Sequence, residues 1–343
     1  MGQAALVPER PKAPTIYDVA ALAGVSHQTV SRYLNDKSKL KATTLERVEK
    51  ALAELNYHPN LAARSLRSRE RYRVVVVVPE ASLYFPSRML SGAAATAHEA
   101  GYKVDVIALE GSNQSRAQQL RTLMSGDEIA GILSFVPRPK FSSADRLPAS
   151  SVPMIVAGEY DNKMRGRGSL ADGTASAKIV EYLASLGHRN FVHVAGPAAW
   201  PSARSRRAAY EEAISSRGLL SLGVVSGDWT PESGYAAGRK IAEMKDVTAV
   251  VAANDQMAIG AIRAFYEQGI KVPADISVFG WDNMTESKFL VPSLSTVHMD
   301  LEALGARSMS QLLDRIRGKQ STSETLTLAP MELVFRESTG PVH

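Results

Sequence analysis

The hydrophobic positions of residues 15–34 recur at helical spacing in two short stretches that are separated by a glycine. Val25, Val30 and Leu34 fall on one face of the second stretch, and this pattern predicts two short helices joined by a turn. Gly24 stands at the junction and allows a positive φ that residues with a Cβ tolerate poorly. The chain is therefore predicted to contain a helical pair near its N-terminus.

A third helix is predicted over residues 43–57, because Val48, Leu52 and Leu55 share one of its faces. Each of the three helices begins near residues that suit an N-terminal cap. These residues are Thr15 with Asp18, Ser26, and Thr43 with Glu46. The N-terminal region is accordingly predicted to be a small all-α domain.

From Arg73 onward, apolar runs of strand length alternate with helical segments. Runs that are apolar throughout are typical of parallel strands buried on both faces. They cover residues 74–78, 103–109, 130–135, 154–157, 191–195, 223–226, 247–252 and 276–280. Gly101, Gly187 and Gly269 each close a helix just before a strand. Because this alternation occurs twice, we predict two doubly wound α/β subdomains with a ligand cleft at the carboxyl ends of their strands.

The second N-terminal helix is predicted to direct a polar face outward, formed by His27, Gln28, Ser31 and Arg32. Such a face suits the DNA major groove, because Gln pairs bidentately with adenine and Arg with guanine. An ordinary helical hairpin with a solvated polar face is the alternative. The distribution of charge favours DNA binding over this alternative. Residues 1–73 hold 13 Lys and Arg against 7 Asp and Glu, whereas the rest of the chain holds 27 basic and 28 acidic residues.

Residues 60–68 form a short helical pattern that is too short for a stable isolated helix in water. DNA together with a second copy of the segment would stabilise this helix, and a plain linker is the alternative.

The composition excludes several functional classes. The chain has 343 residues, 45% hydrophobic residues and no cysteine, which leaves no disulfide or thiolate metal site. The apolar run Val74–Val78 ends at Pro79, too early to span a bilayer, and the N-terminus lacks the pattern of a signal peptide. No dinucleotide fingerprint, phosphate-binding loop or nucleophile elbow is present. We therefore expect a cytoplasmic protein that is not an enzyme and needs no cofactor or metal.

Several motifs in order resemble the LacI/GalR (lactose-repressor) family of bacterial transcriptional regulators, from about Thr15 to Arg336. They are Val25-Ser26-His27-Gln28-Thr29-Val30-Ser31-Arg32, Glu54-Leu55-Asn56-Tyr57-His58-Pro59-Asn60, Ala63-Arg64-Ser65-Leu66, Gly187-His188-Arg189, Ala252-Ala253-Asn254-Asp255-Gln256-Met257-Ala258, Asp275-Ile276-Ser277-Val278 and Pro292-Ser293-Leu294-Ser295-Thr296-Val297. The resemblance implies an N-terminal all-α helix-turn-helix DNA-binding domain with a hinge helix, followed by an α/β body like a periplasmic binding protein.

The resemblance also implies where the domains begin and end. We expect a disordered tail over residues 1–14, the helix-turn-helix domain over 15–59, and the hinge helix and linker over 60–72. The body would cover residues 73–343. Its first subdomain would comprise about 73–170 and 299–328, and its second about 171–298 and 329–340.

Family members bind pseudo-palindromic operators as dimers, and the resemblance implies which residues touch DNA here. His27, Gln28 and Arg32 would contact bases, whereas Tyr17, Thr29 and Ser31 would contact phosphates. Leu66 would insert as an apolar wedge into the minor groove from paired hinge helices, or would only pack on its partner hinge. The full expected set is Tyr17, Ser26, His27, Gln28, Thr29, Ser31, Arg32, Asn60, Ala63, Arg64 and Leu66.

The expected effector site, also carried over by resemblance, consists of Phe85, Ser202, Arg206, Trp229, Asn254 and Asp282. Charged and amide groups would hold the hydroxyls of a carbohydrate while an indole covers the ring. Four of these residues have a structural alternative. Asn254 would only cap a helix, Arg206 would be displaced by a neighbouring arginine or solvated, Trp229 would belong to the core, and Asp282 would only hold a turn.

The first subdomain's side of the cleft matches the family less well. Leu83, Tyr84 and Phe85 are expected to line it. Gly158 and Glu159 fall where an acidic ligand contact would lie. The basic loop of residues 163–168 has no assigned role.

The function implied is a repressor of carbohydrate-uptake or catabolism genes that a sugar releases from its operator. A purine-responsive or corepressor-dependent regulator is the alternative, and a sugar-binding transport protein is a further one. Because no leucine heptads follow Phe335-Arg336, a dimer is expected.

Overall fold

The computed structural model describes residues 14–35, 40–55, 57, 72–78, 87–126, 128–136, 152–159, 166, 168–319 and 330–342. The chain divides into two compact units, Met1–Arg71 and Tyr72–His343. The predicted hinge segment, residues 60–68, lies outside the described residues.

The N-terminal unit contains the three predicted helices, α1 (Ile16–Ala23), α2 (His27–Asn35) and α3 (Ala42–Glu54). Their contact is apolar: Val19, Val30 and Val48 are each fully buried in one cluster. The turn between α1 and α2 is confirmed, since Gly24 has φ 61° in the left-handed region.

Two of the three predicted caps are confirmed. Thr15 and Asp18 form a capping box at the start of α1, and the Ser26 hydroxyl accepts the Thr29 N–H at 3.2 Å. The box predicted at Thr43 and Glu46 is wrong, because α3 begins at Ala42 after Lys41, which makes no side-chain cap. A threonine cap stabilises a helix by only about 1 kcal/mol. Leu40 and Leu45, on either side of the start of α3, pack against the apolar cluster, and we infer that this packing outweighs the cap.

The second unit contains two four-stranded parallel sheets, each assembled from the predicted strands. The first sheet has the order β2-β1-β3-β4 and the second the order β6-β5-β7-β8. Their strands are β1 (Arg73–Val78), β2 (Lys103–Ala108), β3 (Ile129–Ser134), β4 (Met154–Val156), β5 (Asn190–Ala195), β6 (Leu220–Ser226), β7 (Ala249–Ala252) and β8 (Ser277–Phe279). All eight predicted strands are therefore present.

Helices connect and cover these strands. They are α4 (Ser87–Glu99), α5 (Asn113–Ser125), α6 (Ala175–Ser185), α7 (Pro201–Ser216), α8 (Pro231–Ala242), α9 (Asp255–Glu267) and α10 (Leu301–Ile316). The predicted glycine closures are confirmed at Gly101, Gly187 and Gly269, which have φ values of 84°, 97° and 76°. A short antiparallel pair, β9 (Thr296–His298) and β10 (Glu332–Val334), was not predicted.

The late helix α10 packs on α4 and on β3, so it belongs with the first sheet. Two glycines permit the close crossing of α4 and α10. A Cβ on Gly92 would lie 2.0 Å from the Glu302 carbonyl oxygen, and one on Gly305 would lie 1.9 Å from that of Met89. Within the described ranges, no helix is long and apolar enough to cross a membrane.

Candidate DNA-contact face and effector site

The polar face predicted on α2 is directed to solvent. His27, Gln28 and Arg32 are exposed, while Thr29 and Ser31 are half-buried. Tyr17 of α1 is 60% exposed, and its ring centroid lies 5.2 Å from that of His27. The structure thus brings Tyr17 beside the residues predicted to contact bases.

Local hydrogen bonds fix the backbone around this face. The Ser26 hydroxyl caps α2 and lies 3.0 Å from the Thr29 hydroxyl. Arg47 of α3 donates to the carbonyl oxygens of Ala23 and Gly24 at 2.5 and 2.7 Å. Sequence reasoning missed Arg47, which satisfies carbonyl groups at the end of α1 and so supports the turn before α2. The remaining residues predicted to contact DNA, Asn60, Ala63, Arg64 and Leu66, lie outside the described residues.

The predicted effector residues of the second subdomain meet at one edge of its sheet. Arg206 lies on the helix after β5, whereas Trp229, Asn254 and Asp282 follow β6, β7 and β8 respectively. The carboxyl ends of parallel strands form the usual ligand edge of such sheets. The topology therefore accounts for why residues so far apart in sequence come together.

Arg206 occupies the centre of this group and is only 4% exposed. Its Nη1 donates to the Ala253 carbonyl at 2.5 Å, and its Nη2 lies 3.9 Å from Asp282 Oδ1. Its Nε is buried and has no hydrogen-bond partner among the described residues. The buried position argues against the alternative of a solvated arginine, and the unpaired N–H is suited to an acceptor such as a hydroxyl oxygen.

All three tryptophans of the sequence lie near this guanidinium or near each other. The Arg206 guanidinium carbon lies 4.2 Å from the centroid of the Trp281 ring and 5.8 Å from that of Trp229. Trp200, which sequence reasoning did not select, meets Trp229 edge to face at 6.4 Å. Trp281 is buried, whereas Trp200 and Trp229 are half-buried, so two indoles remain accessible to a ligand.

Asn254 has two structural roles. Its Oδ1 accepts the Met257 N–H at 2.9 Å and so caps α9, as the structural alternative proposed. Its Nδ2 donates to the Trp229 carbonyl at 3.0 Å and to Gln256 Oε1 at 2.9 Å. The side chain therefore also supports the Trp229 backbone, which has φ 75°.

Two aspartates at this edge, the buried Asp255 and the half-buried Asp282, have raised pKa values. Burial raises the pKa of Asp282 to about 7, although Arg206 opposes the shift. Burial likewise raises the pKa of Asp255 to about 6. The hydroxyls of Ser287 and Thr296, which each donate to its carboxylate at 2.6 Å, lower the pKa and so reduce this shift. Sequence reasoning missed Asp255, although its position at the start of α9, next to Asn254, was the available indication.

Glu159 links the two subdomains. It follows β4 of the first sheet, is 5% exposed, and accepts the Ser202 backbone N–H of α7 at 2.8 Å. Ser202 itself is 2% exposed, so this contact is buried. Phe85 lies outside the described residues, as do its neighbours Leu83 and Tyr84, and only Gly166 and Gly168 of the basic loop are described.

These features define a class: a helix-turn-helix unit joined to a two-subdomain α/β ligand-binding body. Comparison with known proteins agrees. Residues 15–60 match the family model "Bacterial regulatory proteins, lacI family", and residues 180–339 match "Periplasmic binding protein-like domain". The chain is 33% identical to the lactose operon repressor of Escherichia coli (strain K12) over 330 residues, covering 96% of this chain and 91% of that protein. The chain belongs to the lacI family, and it is a DNA-binding transcriptional regulator.

Solved structures show the same architecture. A lac repressor dimer bound to operator and the anti-inducer ONPF is 32% identical, with a TM-score of 0.73, covering 96% of this chain and 100% of that one. A complex of the transcriptional regulator CelR with cellobiose is 28% identical, with a TM-score of 0.64, covering 95% and 99%. These relatives are regulators and not enzymes. The predicted fold class, family and regulatory function are confirmed.

Proposed function

We propose that this chain binds a palindromic operator as a homodimer and represses genes of carbohydrate uptake or catabolism. A sugar that occupies the cleft would lower its affinity for the operator. The protein would act in the cytoplasm, where its operator lies, and would catalyse no reaction.

The observation that carries the effector assignment is the convergence of Arg206, Trp229 and Asp282 at one edge of the second sheet. A guanidinium with an unpaired Nε–H and a nearby carboxyl group match the acceptors and donors of adjacent hydroxyls. The half-buried indole of Trp229 offers an apolar face to the C–H side of a sugar ring. The matched CelR structure holds cellobiose, which is consistent with this chemistry.

We also propose the DNA contacts that the family resemblance implies. His27, Gln28 and Arg32 would contact bases from α2, and Tyr17, Thr29 and Ser31 would contact the backbone. Asn60, Ala63, Arg64 and Leu66 would contact the operator centre from two hinge segments. The matched lac repressor is a dimer bound to its operator.

A thermal-shift panel tests the effector assignment. The purified chain is heated with mono- and disaccharides, sugar phosphates and purines, because a ligand that binds the folded state raises the midpoint. We expect one sugar to raise Tm by about 2–4 °C at about ten times its Kd. The shift should disappear in Arg206→Ala and persist in Arg207→Ala, an exposed arginine of the same helix that pairs with Glu211.

The sugar that passes this test is then added to the operator complex in a gel-shift assay. We expect weaker operator binding with the sugar present. A thermal shift caused only by purines, or a sugar shift that survives Arg206→Ala, would overturn the carbohydrate assignment. Stronger operator binding with the sugar would make it a corepressor.

A further inference from the structure

The N-terminus of α7 has no cap from its own segment. The N-cap residue, Trp200, provides no side-chain hydrogen bond, and Pro201 has no N–H. The first N–H that the helix presents is that of Ser202, and it is taken by Glu159 Oε2 at 2.8 Å. A carboxylate from the first subdomain therefore supplies the missing cap.

This position would otherwise suit an anionic ligand. The N-terminus of a helix carries partial positive charge and free N–H groups, and phosphates commonly bind there. The helix has 16 residues, and its N-terminus lies near the ligand edge of the second sheet through Trp200, which contacts Trp229. In this chain the anion position is already filled by Glu159, which is only 5% exposed.

The charges around this position also disfavour an anionic ligand. Burial lowers the pKa of the Arg206 guanidinium, and four carboxylates oppose that shift: Asp282, Glu159, Asp255 and Asp172, in decreasing order of effect. The buried Arg206 guanidinium therefore lies in the field of several acidic side chains, of which Asp282 lies 3.9 Å away and Glu159 is itself buried. An anionic ligand entering here would meet like charges at low dielectric, where repulsion is strong.

We propose that Glu159 is a specificity-determining residue that excludes phosphorylated and other anionic ligands, so that the effector is an uncharged polyhydroxyl compound. The inference rests on the proposed effector site and narrows its ligand class. Truncation of the Glu159 side chain, which frees the Ser202 N–H, should convert the N-terminus of α7, next to Arg206, into a site for phosphate.

The test uses the full chain and inorganic phosphate as its probe. Thermal midpoints are measured in phosphate and in chloride of equal ionic strength for the natural chain, Glu159→Ala and Glu159→Gln. Asp300→Ala is the matched control, because Asp300 also caps a 16-residue helix, through the Ala303 N–H at 3.0 Å. The phosphate-dependent shift of the natural chain is subtracted from each variant, which removes any contribution from the basic N-terminal unit.

We expect Glu159→Ala to gain a saturable shift of about 2–4 °C at about ten times the phosphate Kd. Glu159→Gln should gain little, since its amide oxygen still occupies the Ser202 N–H. The gain should be lost when Arg206→Ala is added to Glu159→Ala. An equal gain in Asp300→Ala, or no gain in a folded Glu159→Ala, would overturn the inference.

A second measurement needs only the natural chain. Pairs of sugars and their phosphate esters are compared by thermal shift, and each phosphate ester should bind at least about tenfold more weakly than its parent. A phosphate ester that binds more tightly than its parent sugar would refute the role of Glu159 while leaving the carbohydrate assignment intact. If only purines bind, the carbohydrate assignment fails, but the phosphate experiment on Glu159→Ala still decides the role of Glu159.

Discussion

Replacing Asn254 separates its two structural roles. In Asn254→Ala, α9 loses its cap and the Trp229 carbonyl loses the amide that donates to it at 3.0 Å. In Asn254→Asp, a carboxylate oxygen still accepts the Met257 N–H, but no amide remains to donate to Trp229. The Ala variant therefore removes all three hydrogen bonds of the side chain, whereas the Asp variant keeps the cap and loses the two that the amide donates to Trp229 and Gln256.

The structure sets the expected magnitudes. Loss of a cap costs about 1 kcal/mol, and the partly buried Trp229 carbonyl left unpaired costs up to about 1–3 kcal/mol, so Asn254→Ala should destabilise the body by up to about 2–4 kcal/mol. Asn254→Asp should cost at least as much, because the cap is kept but a carboxylate oxygen then faces the Trp229 carbonyl and Gln256 Oε1 in a residue that is only 4% exposed. Ser112→Ala is the control for a cap with no second role, since the Ser112 hydroxyl hydrogen-bonds only with the Ser115 N–H among the described residues.

The assay is urea unfolding followed by far-UV circular dichroism, with the tryptophan emission of the folded state recorded beforehand. Both Asn254 variants should shift the emission spectrum and weaken binding of the effector, because the Trp229 backbone is no longer held. If Asn254→Ala costs no more than Ser112→Ala, the contact with the Trp229 carbonyl contributes nothing and the reasoning is refuted.

Three further predictions concern packing, pH and the N-terminal unit. Gly305→Ala should cost at least about 1–3 kcal/mol in thermal unfolding, because its Cβ would lie 1.9 Å from a carbonyl oxygen of α4, whereas Gly126→Ala, with no atom nearer than 3.8 Å, should be nearly neutral. Burial lowers the pKa of His193 to about 4 from 6.5, so its contribution to stability is lost as pH falls from about 6.5 to 4. His193→Asn keeps a donor but does not titrate, so it should reduce the loss of unfolding free energy between pH 6.5 and about 4 by up to about 3 kcal/mol. An unchanged dependence of stability on pH would contradict the lowered pKa of His193. Arg47→Ala should weaken operator binding about tenfold more than Lys50→Ala, which removes the same charge from α3; equal losses would show that only charge matters.

The sequence predicted the strands of the body well, because continuous runs of Val, Ile and Ala in a parallel sheet depend little on distant contacts. Turn glycines were equally predictable, since φ values such as the 61° of Gly24 are a local requirement. The start of α3 was not predictable, because the local preference for a Thr43 cap is worth only about 1 kcal/mol and tertiary packing can outweigh it. The β9–β10 pair also escaped prediction, since its two strands lie far apart in sequence.

The residues of the effector site could be predicted, but the hydrogen bonds that connect them to the rest of the body could not. The resemblance supplied Arg206, Trp229 and Asp282, whereas the contact between Glu159 and Ser202 depends on how two subdomains meet. Asp255 illustrates the same limit, because its hydroxyl partners are 32 and 41 residues further along the chain. No local pattern encodes contacts of that range.

Backbone strain suggests which half of the cleft is rigid. Among the residues that the structure describes, the non-glycine residues with positive φ are Trp229, Asp246, Asp282 and Asn283, and all but Asp246 lie at the ligand edge of the second sheet. Such conformations cost about 1–3 kcal/mol each and persist only where neighbouring contacts enforce them. Here Asn254 holds the Trp229 carbonyl, and Arg336 donates to Asn283 Oδ1 at 2.6 Å. A rim that is enforced in this way changes little when a ligand binds, so we expect the effector to act mainly by moving the first subdomain, whose buried contact with α7 is made by Glu159.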